Sequence, residues 1–232
     1  MFDYKDVFSR AVIQVNDEKP IKGVILSFHG LSCFPADFEL CEERLHWFQN
    51  GWMIVTPYCG PWSWLNDNVI SYINTLLDFV WEKYDLNDNL PVIYYGGSMG
   101  GYAALLYLLQ GNRKASRCIA KYPVCDLEYH RDERDDVRRT LVSAFWNSQY
   151  QSWDALFAER SPLCRLSELP KIPYLFVHSE NDTKVSKIHH SDVMVEKMRE
   201  RGYDVTYLEL SGYDHAEPLS EDIVHKVAEF LD

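Results

Sequence analysis

Apolar and polar positions follow two rhythms along this chain. Short, nearly continuous apolar runs recur at residues 12–15, 24–28, 52–56, 91–95, 117–122, 173–178 and 205–210. Runs of that length, stopped by Gly, Pro or Asn, predict strands buried on both faces of a parallel sheet. Between them lie longer segments with a helical period. Residues 36–49 predict a helix ended by Asn50-Gly51, and residues 66–84 a long one with Ile70, Ile73, Leu77 and Val80 on one face. Residues 98–110 predict a helix with Tyr102, Ala103, Leu106 and Leu109 inward and Gly111 as its C-terminal cap. Residues 185–201 predict another, ended by Gly202, and Leu219, Ile223, Val227 and Phe230 mark a last one. Strands alternating with helices place the chain in the α/β class, with a mostly parallel, doubly wound sheet covered by helices on both faces.

One segment breaks the alternation. Residues 126–169 contain no clear strand. They begin with a run dense in both charges, from Glu128 to Asp136, and continue with Leu141, Val142, Phe145, Trp146, Trp153, Leu156 and Phe157 at helical spacings. The expectation is a helical lid inserted above the sheet of a single domain spanning 1–232, because long connections in compact domains are usually functional.

Composition narrows the function classes. With 23 Lys and Arg against 35 Asp and Glu, the net charge is −12, which argues against nucleic acid and against anionic membranes as partners. An aromatic content of 14% argues against disorder. No apolar run approaches the roughly 20 residues needed to cross a bilayer. The first residues lack the basic-then-apolar layout of an export signal, so the expected location is cytoplasmic. The six cysteines are then expected as thiols, and none form the CxxC pairs of a zinc or redox motif. Oligomeric state leaves no mark in the sequence.

The candidate chemistry sits in Gly96-Gly97-Ser98-Met99-Gly100-Gly101, a G-x-S-x-G between a predicted strand and a predicted helix. In that context the serine occupies a sharp turn at the carboxyl end of the sheet, with a helix N-terminus behind it to favour negative charge. A serine hydroxyl needs a base, and the base an orienting acid. Asp182 follows one predicted strand and His215 another, so both land at the carboxyl edge where open α/β sheets hold their sites. Asp126 is the rival acid, since it also follows a strand end. The remaining histidines fall on helix faces or in the charged segment. The amides of Met99, just after the serine, and of Leu31, after His29-Gly30, are the candidate oxyanion donors.

In this order of His-Gly, G-x-S-x-G, Asp and His the chain resembles the α/β-hydrolase superfamily. It is most similar to the catalytic domain of the prolyl oligopeptidase family and its short esterase relatives. Residues 96–102 resemble their nucleophile segment. Ser161-Pro162-Leu163, Ile172-Pro173, His178 and Asp182 with Val185 resemble their approach to the acid. The resemblance runs from about Ile21 onward. Ser179 stands where the family often has glycine, and 232 residues are too few to include the propeller of the oligopeptidases.

The expected activity is a serine hydrolase acting on small carboxylic esters through an acyl-enzyme on Ser98, with His215 as base and Asp182 as its orienter. An acyltransferase or a small peptidase on the same three residues is the alternative. This chemistry implies no metal and no organic cofactor. The loop Pro57-Tyr58-Cys59-Gly60-Pro61-Trp62-Ser63-Trp64 follows a strand directly. Trp62 and Trp64 are expected to wall an aromatic or apolar pocket, faced by Trp146 and Trp153 from the insertion.

Overall fold

The computed structural model describes residues 4–34 and 40–231. Its strands are β1 (Ala11–Gln14), β2 (Gly23–Phe28), β3 (Trp52–Pro57), β4 (Val92–Gly97), β5 (Arg117–Lys121), β6 (Tyr174–Ser179) and β7 (Val205–Leu210). They form one sheet in the order β1-β3-β2-β4-β5-β6-β7. β1 runs antiparallel to β3, with Ala11 opposite Pro57, and every other neighbouring pair is parallel.

The helices are α1 (Tyr4–Phe8), α2 (Glu42–Gln49), α3 (Asp67–Lys83), α4 (Met99–Tyr107), α5 (Leu127–Glu133), α6 (Asp135–Phe145), α7 (Trp153–Arg160), α8 (Val193–Glu200) and α9 (Glu221–Glu229). The sheet separates two cores. Val24 and Leu26 point to the larger one, with α3, α4 and the helices between β5 and β6. Ile25, Ile54, Ile93 and Ile119 point to the other, against Trp47 of α2 and Val227 of α9. Because β2 faces a core on each side, all six of its residues are buried, which is why its sequence is almost uninterrupted by polar positions.

Local chemistry sets where elements begin. The Asn66 side chain accepts the Val69 amide at 3.1 Å and starts α3. The helix expected from residue 185 begins later. The Asp182 carboxylate accepts the amides of Lys184 and Val185, both at 2.8 Å, and a π-turn over Ile188–Asp192 precedes α8. The early helix expected from residue 36 begins at Glu42, where Cys41 is its extended N-cap; residues 36–39 of that expectation lie outside the described residues. The short α1 carries too few residues to show a period and was not expected. The segment 126–169 is helical, as α5, α6, α7 and a 3-10 turn. Among the described residues no helix is long and apolar enough to cross a membrane.

Candidate active site

Ser98 joins β4 to α4 with φ 59° and ψ −124°. For a residue with a Cβ this is a strained backbone, which persists only where surrounding structure enforces it. The enforcement is visible. The Ser98 amide donates to the Lys121 carbonyl at 2.9 Å, and the Tyr102 amide donates to the Ser98 carbonyl at 3.0 Å. The flanking glycines allow the close packing. A Cβ on Gly100 would sit 2.2 Å from the Phe28 carbonyl oxygen, and one on Gly96 would sit 2.4 Å from that of Gly100. Ser32, Tyr122 and Ala216, on neighbouring loops, also have positive φ.

The structure brings Asp182 and His215 together. His215 Nδ1 lies 2.7 Å from Asp182 Oδ2. An ionised carboxylate only accepts, so Nδ1 carries the proton and Nε2 keeps the lone pair. The other contacts of Asp182 fix the carboxylate. Its Oδ1 accepts the Lys184 and Val185 amides, and His178 Nε2 lies 3.2 Å from Oδ2. Burial alone would raise the Asp182 pKa, but the bonds from His178, His215 and Val185 outweigh it and hold the carboxyl well below the usual carboxylate range. Asp126, the rival acid, is engaged elsewhere: its side chain caps α5 by accepting the Glu128 and Tyr129 amides. Asp214 accepts the amides of His215 and Thr183, and so ties the histidine loop to the acid loop.

Ser98 opens on a cleft of about 190 Å³, lined also by Ser27, Thr56, Tyr95, Tyr122 and Ala216. Ala216 is the neighbour of His215, and the Tyr122 ring meets the His215 imidazole at 4.8 Å. Met99 opens α4, so its amide is among the N-terminal donors that lack an intrahelical acceptor. Leu31 lies beside a fixed turn. The Cys59 amide donates to His29 Nε2 at 3.1 Å, so His29 Nδ1 carries the proton that reaches the Gly30 carbonyl at 2.9 Å. Burial lowers the His29 pKa, consistent with that neutral tautomer.

A charged network lies under the cleft. Lys121 Nζ, buried at the end of β5, is ion-paired with Glu43 of α2, and the Tyr95 hydroxyl donates to the same Glu43 oxygen at 2.7 Å. Burial pushes the Glu43 pKa up, but the Lys121 ammonium and the Tyr95 hydroxyl pull it further down, from 4.5 to about 2. The folded value is below the unfolded one, so this stabilisation is complete above pH 4.5 and is lost as pH falls through about 2. Glu43→Gln strands the Lys121 charge and should cost about 3–5 kcal/mol at pH 7. By pH 3 the deficit should shrink by about 2 kcal/mol. Denaturant unfolding of both proteins at the two pH values measures this, and a deficit independent of pH would refute it.

The four tryptophans do not line the Ser98 cleft, which corrects the sequence expectation. Trp64 is 1% exposed and belongs to the core: its indole N–H donates to Thr140 Oγ1 at 2.9 Å and its ring packs on Tyr102 and His130. Trp62 donates to Ser143 on α6 at 3.1 Å. Trp146, 79% exposed, and Trp153, stacked on Phe157, line a separate cavity of about 270 Å³ with residues of α6 and α7. The indole N–H groups of Trp62 and Trp64 found hydroxyl partners on α6, which holds the loop after β3 against that helix.

His130, Glu133 and His190 bring three possible ligand atoms within 4.8 Å of one another. Their hydrogen bonds do not suit a metal. His190 Nδ1 accepts the Cys125 and Asp126 amides, each at 3.2 Å, so its Nε2 keeps a proton and donates to Glu133. Glu133 also accepts the Ser186 amide at 2.6 Å. The cluster thus clamps α5 to the segment that follows Asp182.

Sequence reasoning missed His178 as a support of Asp182, Tyr122 against His215, and Ser27 and Thr56 in the cleft. The last two had a legible signal: polar residues closing otherwise apolar strands at their carboxyl ends.

The sequence profile of the prolyl oligopeptidase family matches residues 65–232. The chain belongs to that family. It is therefore a member of a serine hydrolase family, and its relatives in structure share the α/β-hydrolase fold. FphF, a fluorophosphonate-binding serine hydrolase of Staphylococcus aureus, is 15% identical with a TM-score of 0.73, over 96% of this chain and 92% of that one. Esterase PE8 is 18% identical with a TM-score of 0.62, over 95% and 96%. The acylaminoacyl peptidase of Pyrococcus horikoshii is 14% identical with a TM-score of 0.77, over 95% of this chain but 38% of that one. The chain thus spans little more than a third of the peptidase it matches. No curated protein gives a match.

Proposed function

We propose that this chain hydrolyses small carboxylic esters through an acyl-enzyme on Ser98. The observation that carries the reading is the 2.7 Å hydrogen bond between His215 Nδ1 and Asp182, one residue from Ala216 on the cleft that holds Ser98. Ser98 Oγ attacks the acyl carbon while His215 Nε2 takes its proton. The oxyanion is met by the amides of Met99 and Leu31. His215 passes the proton to the departing alcohol. A water molecule, deprotonated by the same nitrogen, then attacks the acyl carbon and releases the acid and Ser98. Asp182 fixes the imidazole tautomer and stabilises the imidazolium.

Cleft size favours a short substrate. About 190 Å³ has room for roughly six water-sized groups and lies below the usual range for drug-sized ligands. A peptidase is the second reading, favoured by the family and by the peptidase among the structural relatives. Chromogenic esters of graded acyl length, assayed beside an aminoacyl anilide, separate the two. Short acyl chains should be preferred, with kcat/KM falling about tenfold or more per methylene once the chain outgrows the cleft. Faster turnover of the anilide than of every ester would overturn the esterase reading in favour of the peptidase.

A further inference from the structure

The face of the sheet under α2 changes character at its carboxyl edge. Ile25, Ile54, Ile93 and Ile119 line it in the apolar layer. Side chains alternate along a strand, so the residue two positions on shares the face. Those residues are Ser27, Thr56, Tyr95 and Lys121. Three strands thus switch from isoleucine to a polar residue at the same level, with Ser27 opposite Tyr95 and beside Thr56, and β5 switches one pleat further on, where Lys121 lies opposite Gly97 next to Ser98.

Lys121 and Tyr95 are accounted for by Glu43. Thr56 is not. It is 1% exposed and lines the cleft, and its Oγ1 has no hydrogen-bond partner among the described residues. A buried hydroxyl left unpaired is destabilising, and a valine of the same shape would avoid that cost. Arg44 of α2 lines the same cleft. The wall opposite the larger core is therefore polar, in contrast to the aromatic pocket that the sequence suggested.

Resting on the ester-hydrolase reading above, we propose that the short acyl chain of the substrate bears a hydrogen-bonding oxygen, which Thr56 Oγ1 meets on the polar floor under α2. The group enters past Ser98, so the oxygen sits a few atoms from the acyl carbon. A neutral hydroxyl and a carboxylate share this chemistry, and Arg44 on the cleft wall would favour the second.

The test compares isosteric 4-methylumbelliferyl esters on wild type and Thr56→Val. The 3-hydroxybutyrate differs from the 3-methylbutyrate only by hydroxyl for methyl, and the hemisuccinate supplies a carboxylate. Wild type should prefer the better oxygen-bearing ester over the 3-methylbutyrate by about tenfold or more in kcat/KM, the worth of one well-made hydrogen bond. Either oxygen-bearing ester leading supports the inference, and the leader identifies the oxygen. In Thr56→Val the ratio should fall to about one while the melting temperature holds or rises, because the valine leaves no unpaired hydroxyl. A ratio unchanged by the substitution overturns the subsite, as does a variant that melts lower with all esters slowed alike. Labelling of Ser98 by a fluorophosphonate separates the two levels. Labelling without discrimination removes the subsite alone, whereas no labelling and no ester turnover removes the hydrolase reading and the subsite with it.

Discussion

Ser98→Ala is expected to reduce kcat on the best short ester by about 10⁴–10⁶ and to abolish fluorophosphonate labelling, with the fold intact. The substitution removes one hydroxyl and keeps the Cβ. The backbone strain at φ 59° is therefore the same in both proteins, and the bonds that hold the turn are made by backbone atoms of Ser98, Lys121 and Tyr102. Removing the hydroxyl leaves His215 without a proton to take and the acyl group without an attachment point. Initial rates, labelling and a thermal melt on the same preparation give the answer. Turnover near the wild-type rate in a folded variant would sink the role given to Ser98.

Asp182→Asn is expected to reduce kcat by about 10⁴. Four contacts hold the Asp182 carboxylate. Oδ1 accepts two backbone amides, so the asparagine keeps its carbonyl there. Its NH₂ then occupies the position of Oδ2, facing His215 Nδ1 and His178 Nε2. A donor there turns Nδ1 of His215 into an acceptor and moves the proton to Nε2, where it blocks transfer from Ser98. Asp126→Asn should stay close to wild type, since asparagine caps a helix as well as aspartate does. The comparison is made by kcat and melting temperature on the three proteins. The reverse ranking would assign the acid to the end of β5.

Much of the scaffold was legible because its five inner strands are buried on both faces. That condition forces near-continuous apolar runs, and all seven runs correspond to strands. The order of His29-Gly30, Ser98, Asp182 and His215 was legible for a related reason: each follows a strand, and the carboxyl ends of parallel strands lie on one edge. The tryptophans show where such reading stops. Trp62 and Trp64 sit in a loop with no period to fix their direction, and the helical spacing of Trp146 and Trp153 names a face without saying what that face meets. The placement of Trp62 and Trp64 depended on which hydroxyls their indole groups could reach across 81 and 76 residues of sequence.

The same division holds at the cleft. Sequence alone determined the class of fold, the strained serine turn and the two loops that carry Asp182 and His215, because local rules of alternation and turn chemistry set them. Tertiary structure showed how Asp182, the carboxylate favoured in the sequence, meets His215 and Asp126 does not. Both follow a strand end, but the packing of α5 makes Asp126 a helix cap, while His178 and the Val185 amide turn Asp182 toward the histidine. It also decided that Ser27 and Thr56, unremarked in their own strands, stand side by side under α2. Their neighbourhood is a property of strand register, which no single strand encodes.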